Sequence, residues 1–222
     1  MKKKIILVLT SSQHFVDVFL LDFLQTIPKN NQVYLLTNFE DINKYEDSII
    51  RFHLPIKRKF SLLSDLYCAI HIILKIFKIK PDLIITATPK SIIFGILTKL
   101  VVWRLNRIHI YTGIIWTNMF SLKKKLFVLL DKINIFFSNL ILFDSKNQIM
   151  FLNSNGFRTN KFKLIGNGSI KGVDPNIFYS YSKANKEKLK NFYKIPINHK
   201  IILYMGRMDP DKGIDVLIRS FR

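Results

Sequence analysis

At 222 residues and 49% hydrophobic, the chain has apolar material for one large domain, or for one domain and a piece of another. Its formal net charge of +20 points to an anionic partner, whether membrane surface, nucleic acid or phosphorylated substrate; a composition crowded with Lys, Asn, Ile and Phe, as AT-rich coding produces, supplies part of that charge without any ligand. The single cysteine, Cys68, excludes an internal disulfide and a cysteine-built zinc site, fits a reducing compartment, and reads as a buried helix residue.

The N-terminus MKKKIILVLT starts basic, but its apolar run is about six residues, short of the roughly 7–15 of a signal-peptide core. Ile5 to Leu9 is instead a first strand, apolar throughout and so suited to a parallel sheet covered on both faces. Thr10-Ser11-Ser12 turns the chain, and Phe15, Phe19, Leu20, Phe23 and Leu24 form a helical stripe. Val33 to Leu36 and Ile49 to Phe52 are further strands. After Pro55 and the basic loop Lys57-Arg58-Lys59, a long helix runs from Leu62 to about Phe77, with Leu66, Ala69, Ile70, Ile73, Leu74 and Phe77 as its expected apolar face.

Pro81-Asp82 introduces the strand Leu83 to Ile85, and Thr88-Pro89 supplies an N-cap and a proline at the first helical position. Ser91 to Leu105 comes nearest to a membrane-spanning run of about 18 residues, but Lys99 and Arg104 interrupt it. A fifth strand, Arg107 to Tyr111, ends at Thr112-Gly113. Phe120 to Phe137 is mostly helical, Leu140 to Phe143 a strand, and Ser145 to Gln148 a capping-box pattern opening a helix that stops near Gly156. Lys161 to Ile165 is the last strand of the series. This rhythm predicts a doubly wound, Rossmann-like parallel α/β sheet over about residues 1–170. The turn-rich GNGSIKGVDP, Gly166 to Pro175, opens a linker with a charged helix, Lys183 to Tyr193, spanning 171–199. Residues 200–222 then read as strand (Ile201 to Met205), turn and helix, the opening of a second Rossmann-like domain.

Three places have the chemistry of a site. In GRMDPDKG, 206–213, a helix start offers unpaired N–H groups to an anion, and Arg207 and Lys212 flank it with charges suited to a diphosphate. Thr88 and Lys90 begin a helix at the C-terminal end of a parallel strand, where open α/β sheets bind ligands, although an ordinary capped helix would look the same. Tyr111, Thr112, Gly113 and Trp116, with Thr117 and Asn118, could hold a sugar by stacking and hydrogen bonding, or simply form a loop around one partly buried tryptophan. The glycines of 166–174 lack a Walker lysine, and neither they nor Thr10 to His14 form the dinucleotide pattern, which argues against nicotinamide and flavin chemistry. The histidines lack metal-ligand spacing, no G-x-S-x-G elbow occurs, and no helix-turn-helix, RNP or zinc pattern supports nucleic-acid binding.

Taken together and in order, KFKLIGNGSIKGVDPNIF (161–178) and IILYMGRMDPDKGIDVLIRSF (201–221) resemble the interdomain segment and second-domain start of family 4 glycosyltransferases. PDLIITATPKS (81–91), HIYTGIIWTN (109–118) and LFDSKNQIMFLNSNGF (142–157) fit the branch that builds bacterial surface polysaccharides. The resemblance implies a GT-B architecture: an N-terminal acceptor-side domain (1–170) facing a donor-binding domain of which 200–222 is the incomplete start. It implies transfer from a nucleotide-sugar, as co-substrate, to a glycan or lipid-linked acceptor, with retention of configuration and with neither metal nor resident cofactor. By position, Arg207 and Lys212 match the donor-diphosphate pair, and Thr88, Lys90, Thr112, Gly113 and Trp116 fall on the acceptor side. Where many members carry a histidine just after the fifth strand, this chain has Thr112, with His109 back inside the strand; no catalytic base is named.

These features predict a cytoplasmic protein, peripheral on the inner face of the membrane, with Lys57-Arg58-Lys59 and Lys123-Lys124-Lys125 docking an anionic leaflet. The alternative is a catalytically inactive module that binds acceptor, membrane or a partner enzyme. On the transferase reading the sequence is expected to be truncated after the first βα unit of the second domain, whereas the alternative expects no continuation; the tail from about Lys200 is expected to be loosely docked and prone to aggregate.

Overall fold

The structure, a computed structural model, describes residues 3–57, 60–206, 208 and 212–221. The chain divides into two compact units, Met1–Gly172 and Val173–Arg222. Among the described residues of the first, seven strands form one parallel sheet: β1 (Ile5–Leu9), β2 (Gln32–Thr37), β3 (Ile49–His53), β4 (Leu83–Thr86), β5 (Asn106–Tyr111), β6 (Leu140–Phe143) and β7 (Phe162–Leu164). Their spatial order is β3-β2-β1-β4-β5-β6-β7. The chain therefore runs outward from β1 to β3, crosses back to pair β4 with β1, and continues the other way. The crevice above β1 and β4 is the switch point of an α/β sheet.

The pleat sends alternate residues of each strand to opposite faces. Val8, Leu35 and Ile85 meet Val16, Leu20 and Leu24 of α1, a continuous helix over residues 13–26 built from Gln13–Phe15, a π-helical Val16–Leu20 and Leu21–Thr26. Leu7, Leu9, Leu36 and Ile84 face the other way, against α2 (Leu62–Ile79) and α3 (Pro89–Val101). On that same face α4 (Ser121–Phe137) and α5 (Lys146–Ser154) pack over Tyr111, Ile141 and Phe143. Apolar helices on both faces are the reason the strands read as unbroken apolar runs.

Several local expectations change. In α1 the buried stripe is Val16, Leu20 and Leu24, and Phe19 and Phe23 stand partly in solvent. In α2 the buried set is Cys68, Ile72, Ile76 and Ile79, whereas Leu66, Ile70, Leu74 and Phe77 of the expected core face are exposed. That helix is apolar nearly all round, so its periodicity could not choose a face; Leu7, Leu36 and Ile84 chose it. Thr88 occupies the N-cap position before Pro89 without a side-chain capping bond. Its hydroxyl accepts instead from the Ser11 amide at 3.2 Å, tying the β1 and β4 loops together. Ser145 does cap α5, accepting from Asn147 N, but the Gln148 side chain bonds Asp144 rather than closing the box.

In the second unit, α6 (Lys183–Phe192) is capped by Ser182, and α7 (Ile214–Arg219) is short. Residues 201–205 form no strand, and Ile201, Ile202, Leu203 and Met205 are exposed. A strand buried in a sheet needs neighbours, and no described residue of this unit is in one. Arg207, Asp209, Pro210 and Asp211 of the predicted anion turn lie outside the described residues.

Candidate functional site

A narrow cleft of about 20 Å³, room for little more than one water molecule, opens at the C-terminal ends of β4 and β5. Thr88, Pro89 and Ile92 from the start of α3 form one wall. His109 and Tyr111 of β5, with Thr112 and Gly113 beyond it, form the floor and rim, and Trp116 and Asp131 close the far side. Gly113 has φ of +146°, a backbone conformation that L side chains rarely adopt, and this turns the chain over the strand end.

Behind the cleft lies a buried polar network. Arg107, His109 and Tyr111 alternate along β5 and so share one face, opposite Asp131 and Asn134 of α4. Arg107 is fully buried: its guanidinium donates to Asn134 Oδ1 at 2.6 Å and to Ser138 Oγ at 3.1 Å. Asn134 Nδ2 donates to the Tyr111 hydroxyl at 2.9 Å, and Tyr111 in turn donates to Asp131 Oδ1 at 2.8 Å. The other Asp131 oxygen accepts from Trp116 Nε1 at 2.7 Å. The guanidinium is thus linked to a carboxylate through two neutral groups, which lets both charges be buried without direct contact. Gly95 makes room for it, since a Cβ there would lie 2.5 Å from Arg107 Nε.

Burial pushes the Arg107 pKa down to about 10, leaving it charged at neutral pH. Burial first, and the Arg107 charge second, hold His109 well below the ordinary 6.5, so its ring is neutral; Nδ1 lies 2.8 Å from Thr86 Oγ1. Burial raises the Asp131 carboxyl above its ordinary value, and the bonds from Trp116 and Tyr111 pull it back. The cleft therefore offers a neutral imidazole, two hydroxyl-bearing threonines and a carboxylate already holding two donors, set among apolar walls.

Of the residues read from the sequence, Thr88, Thr112, Gly113 and Trp116 come together here. Trp116 is only 1% exposed and packs on Phe151 and Phe157, a structural wall more than a free stacking platform. Lys90 lies on the other side of the first turn of α3, where it pairs with Asp65 at 2.6 Å and donates to Lys57 O at 2.7 Å. Lys212 is exposed in the second unit, and Arg207 lies outside the described residues. Sequence reasoning gave no role to Arg107, Asp131 or Asn134, noted His109 only as standing inside the strand, and grouped Tyr111 with the turn that follows it. The signal was an alternating polar set in a strand otherwise fit for burial, with Asp131 and Asn134 one helical turn apart to receive it.

No protein-family model matches the sequence. The chain is 29% identical over 195 residues to the capsular polysaccharide biosynthesis glycosyltransferase CapM of Staphylococcus aureus, covering 87% of this chain and 50% of that protein. It therefore spans about half the length of the curated relative it matches. Sucrose-phosphate synthase from Thermosynechococcus elongatus is similar in structure with a TM-score of 0.69 at 15% identity, over 99% of this chain and 59% of that one. HepE of Anabaena, solved in complex with UDP-glucose, gives 0.68 at 18% identity, over 98% and 57%. A glycosyltransferase from Rickettsia africae gives 0.62 at 19% identity, over 99% and 57%. At such identities the structural likeness establishes the fold, Rossmann-like α/β.

Proposed function

We propose that this chain supplies the acceptor side of a GT-B glycosyltransferase of the family 4 type, which moves a sugar from a nucleotide-sugar to a glycan or lipid-linked acceptor in surface polysaccharide synthesis, with retention of configuration. The observation that carries the reading is the 195-residue similarity to CapM, a capsular polysaccharide glycosyltransferase, which extends over most of this chain. The cleft at the ends of β4 and β5 is consistent with it: Thr88, Thr112 and Gly113 line its rim, over the buried His109 and Asp131. In this reading Arg207 and Lys212 contact the donor diphosphate and stabilise the charge that builds on the leaving group. The nucleotide-sugar is co-substrate; the reading includes no metal, resident cofactor or nucleic acid.

The same reading places the protein at the cytoplasmic face of a membrane, held peripherally. No helix among the described residues is long and apolar enough to cross a bilayer. The charge of +20 supports attachment to an anionic leaflet.

Two measurements test the transferase reading. Label from a panel of UDP-sugars should pass to a lipid-linked saccharide, with product anomers matching the donor. In NMR spectra of the chain, the Trp116 indole resonance should respond to saccharide acceptors. Silence of that resonance to every saccharide, with no label transferred, would overturn it. A non-catalytic acceptor-binding module is the second reading; it predicts the NMR response without transfer.

A further inference from the structure

α4 is an inverted helix. A helix on the surface of a folded chain buries its apolar stripe and turns its polar side to water. Here the buried positions are Asp131 and Asn134, members of the network behind the cleft, and an apolar stripe lies outside. Leu122, Leu126, Leu129, Ile133 and Phe136 follow one another at steps of four, three, four and three residues. Leu122, Leu126, Leu129 and Phe136 are 78%, 64%, 53% and 67% exposed, and Ile133 is partly exposed. Folded chains rarely leave a contiguous apolar surface of this kind uncovered.

Steps of four and three are the a and d positions of a heptad, the seam along which one α-helix receives another. At the far end of the seam Phe136 stands against Phe137, and the exposed Trp103 meets Phe137 edge-on at 5.8 Å between ring centroids. Exposed aromatic groups of this type anchor a docked partner. The flanks state which helix fits. With Leu126 and Ile133 at a, both g positions hold lysine, Lys125 and Lys132, and the first e position holds Lys123; all three are exposed. Residues at e and g set partner choice by pairing with opposite charge across the seam. The e and g positions of α4 hold no acidic residue, so a second copy brings nothing to neutralise these lysines, and each copy carries a net charge of +20. An acidic helix supplies what is missing.

We propose that the outer face of α4 is a docking seam for an acidic amphipathic helix of a partner protein, with Leu or Ile at three-four spacing and Glu or Asp on both flanks. Phe127 and Asp131 of the same helix line the cleft, so α4 carries the cleft wall on one side and the partner on the other. The proposal rests on α4 alone and stands whether or not the chain transfers a sugar.

The probe is a labelled three-heptad synthetic peptide with Ile at a, Leu at d and Glu at every e and g; its control carries Lys at e and g. In fluorescence anisotropy the full chain should bind the Glu peptide and not the Lys peptide. The variant Leu126→Ser, Leu129→Ser, Phe136→Ser should weaken binding roughly 100-fold or more, and because these side chains are exposed its circular dichroism should match the parent. The variant Lys123→Glu, Lys125→Glu, Lys132→Glu should lose at least roughly 10-fold for the Glu peptide and gain affinity for the Lys peptide, a gain that misfolding cannot produce. A tryptophan at Leu129 (L129W) should shift its emission to the blue when the Glu peptide is added, and one at Asn30 (N30W), in the exposed turn between α1 and β2, should not. Binding of neither peptide, equal binding of both, or a charge-reversed variant that keeps the parent's preference would overturn the proposal. Two further results would overturn it by giving the face another occupant: phosphatidylglycerol vesicles bound through these side chains while the Glu peptide is not, or a parent dimer that the serine variant dissolves.

Discussion

Two stretches of this chain have nearly the same local grammar and different fates. Leu83–Thr86 followed by Thr88-Pro89 reads as apolar strand, turn, cap and proline, and so does Ile201 to Met205 followed by Asp209-Pro210. The first is β4, paired with β1 and β5 and buried under helices on both faces. The second forms no strand and leaves its apolar side chains in water. An extended segment is held by ladder bonds and covered faces that other segments supply, so identical preference gives structure in one place and not in the other.

The strongest way to break that contrast is amide exchange. Amides of Ile84 to Thr86 should open only with global unfolding, while those of Ile201 to Met205 exchange at least about 10⁴-fold faster; comparable protection would mean that the second stretch has found partners. Next in size is truncation of the buried network. Asn134→Ala removes the main acceptor of a buried guanidinium and should destabilise the first unit by about 3–5 kcal/mol in urea titration, whereas Ile202→Ser should change it by less than about 0.5 kcal/mol. Gly95→Ala follows. In an exposed helix interior that change stabilises by about 1 kcal/mol, but here the new methyl group meets Arg107, and a loss of about 1–3 kcal/mol is expected.

The smallest effect is the pH dependence from His109. Its ring stays neutral in the folded chain well below 6.5, whereas the unfolded chain takes up a proton near that pH. Its contribution to stability is therefore complete above pH 6.5 and declines as the pH falls, by up to about 1.4 kcal/mol per unit until the folded-state pKa is reached. His109→Asn should flatten the urea midpoint between pH 6.5 and 5; an unchanged slope would assign the acid sensitivity elsewhere.

Much of the first unit was legible because its signals are local. Strand boundaries at β1 and β6 match the apolar runs, since both strands are apolar throughout and no residue interrupts the pattern. The cleft was legible only at its rim. Thr88, Thr112 and Gly113 stand at strand ends, which turn residues mark. Lys90 shares that rim in sequence, but one step around the helix carries it to Asp65 instead. The chemistry beneath the rim was hidden, because Arg107 and His109 in a strand look like interruptions until Asn134, Ser138 and Thr86 are brought to them.

By itself the sequence determined the alternation of strand and helix, the parallel class of the sheet and the location of the turns at the edge where the cleft opens. These follow from periodicity and turn chemistry within windows of about ten residues. Tertiary structure decided the rest. It chose the buried face of α2, joined Arg107 to Asp131 through Asn134 and Tyr111, tied Ser11 to Thr88, and left residues 201–205 without a sheet. Each of those outcomes depends on a partner far along the chain. Local sequence states what a residue can bond or bury; only the fold determines what stands opposite it.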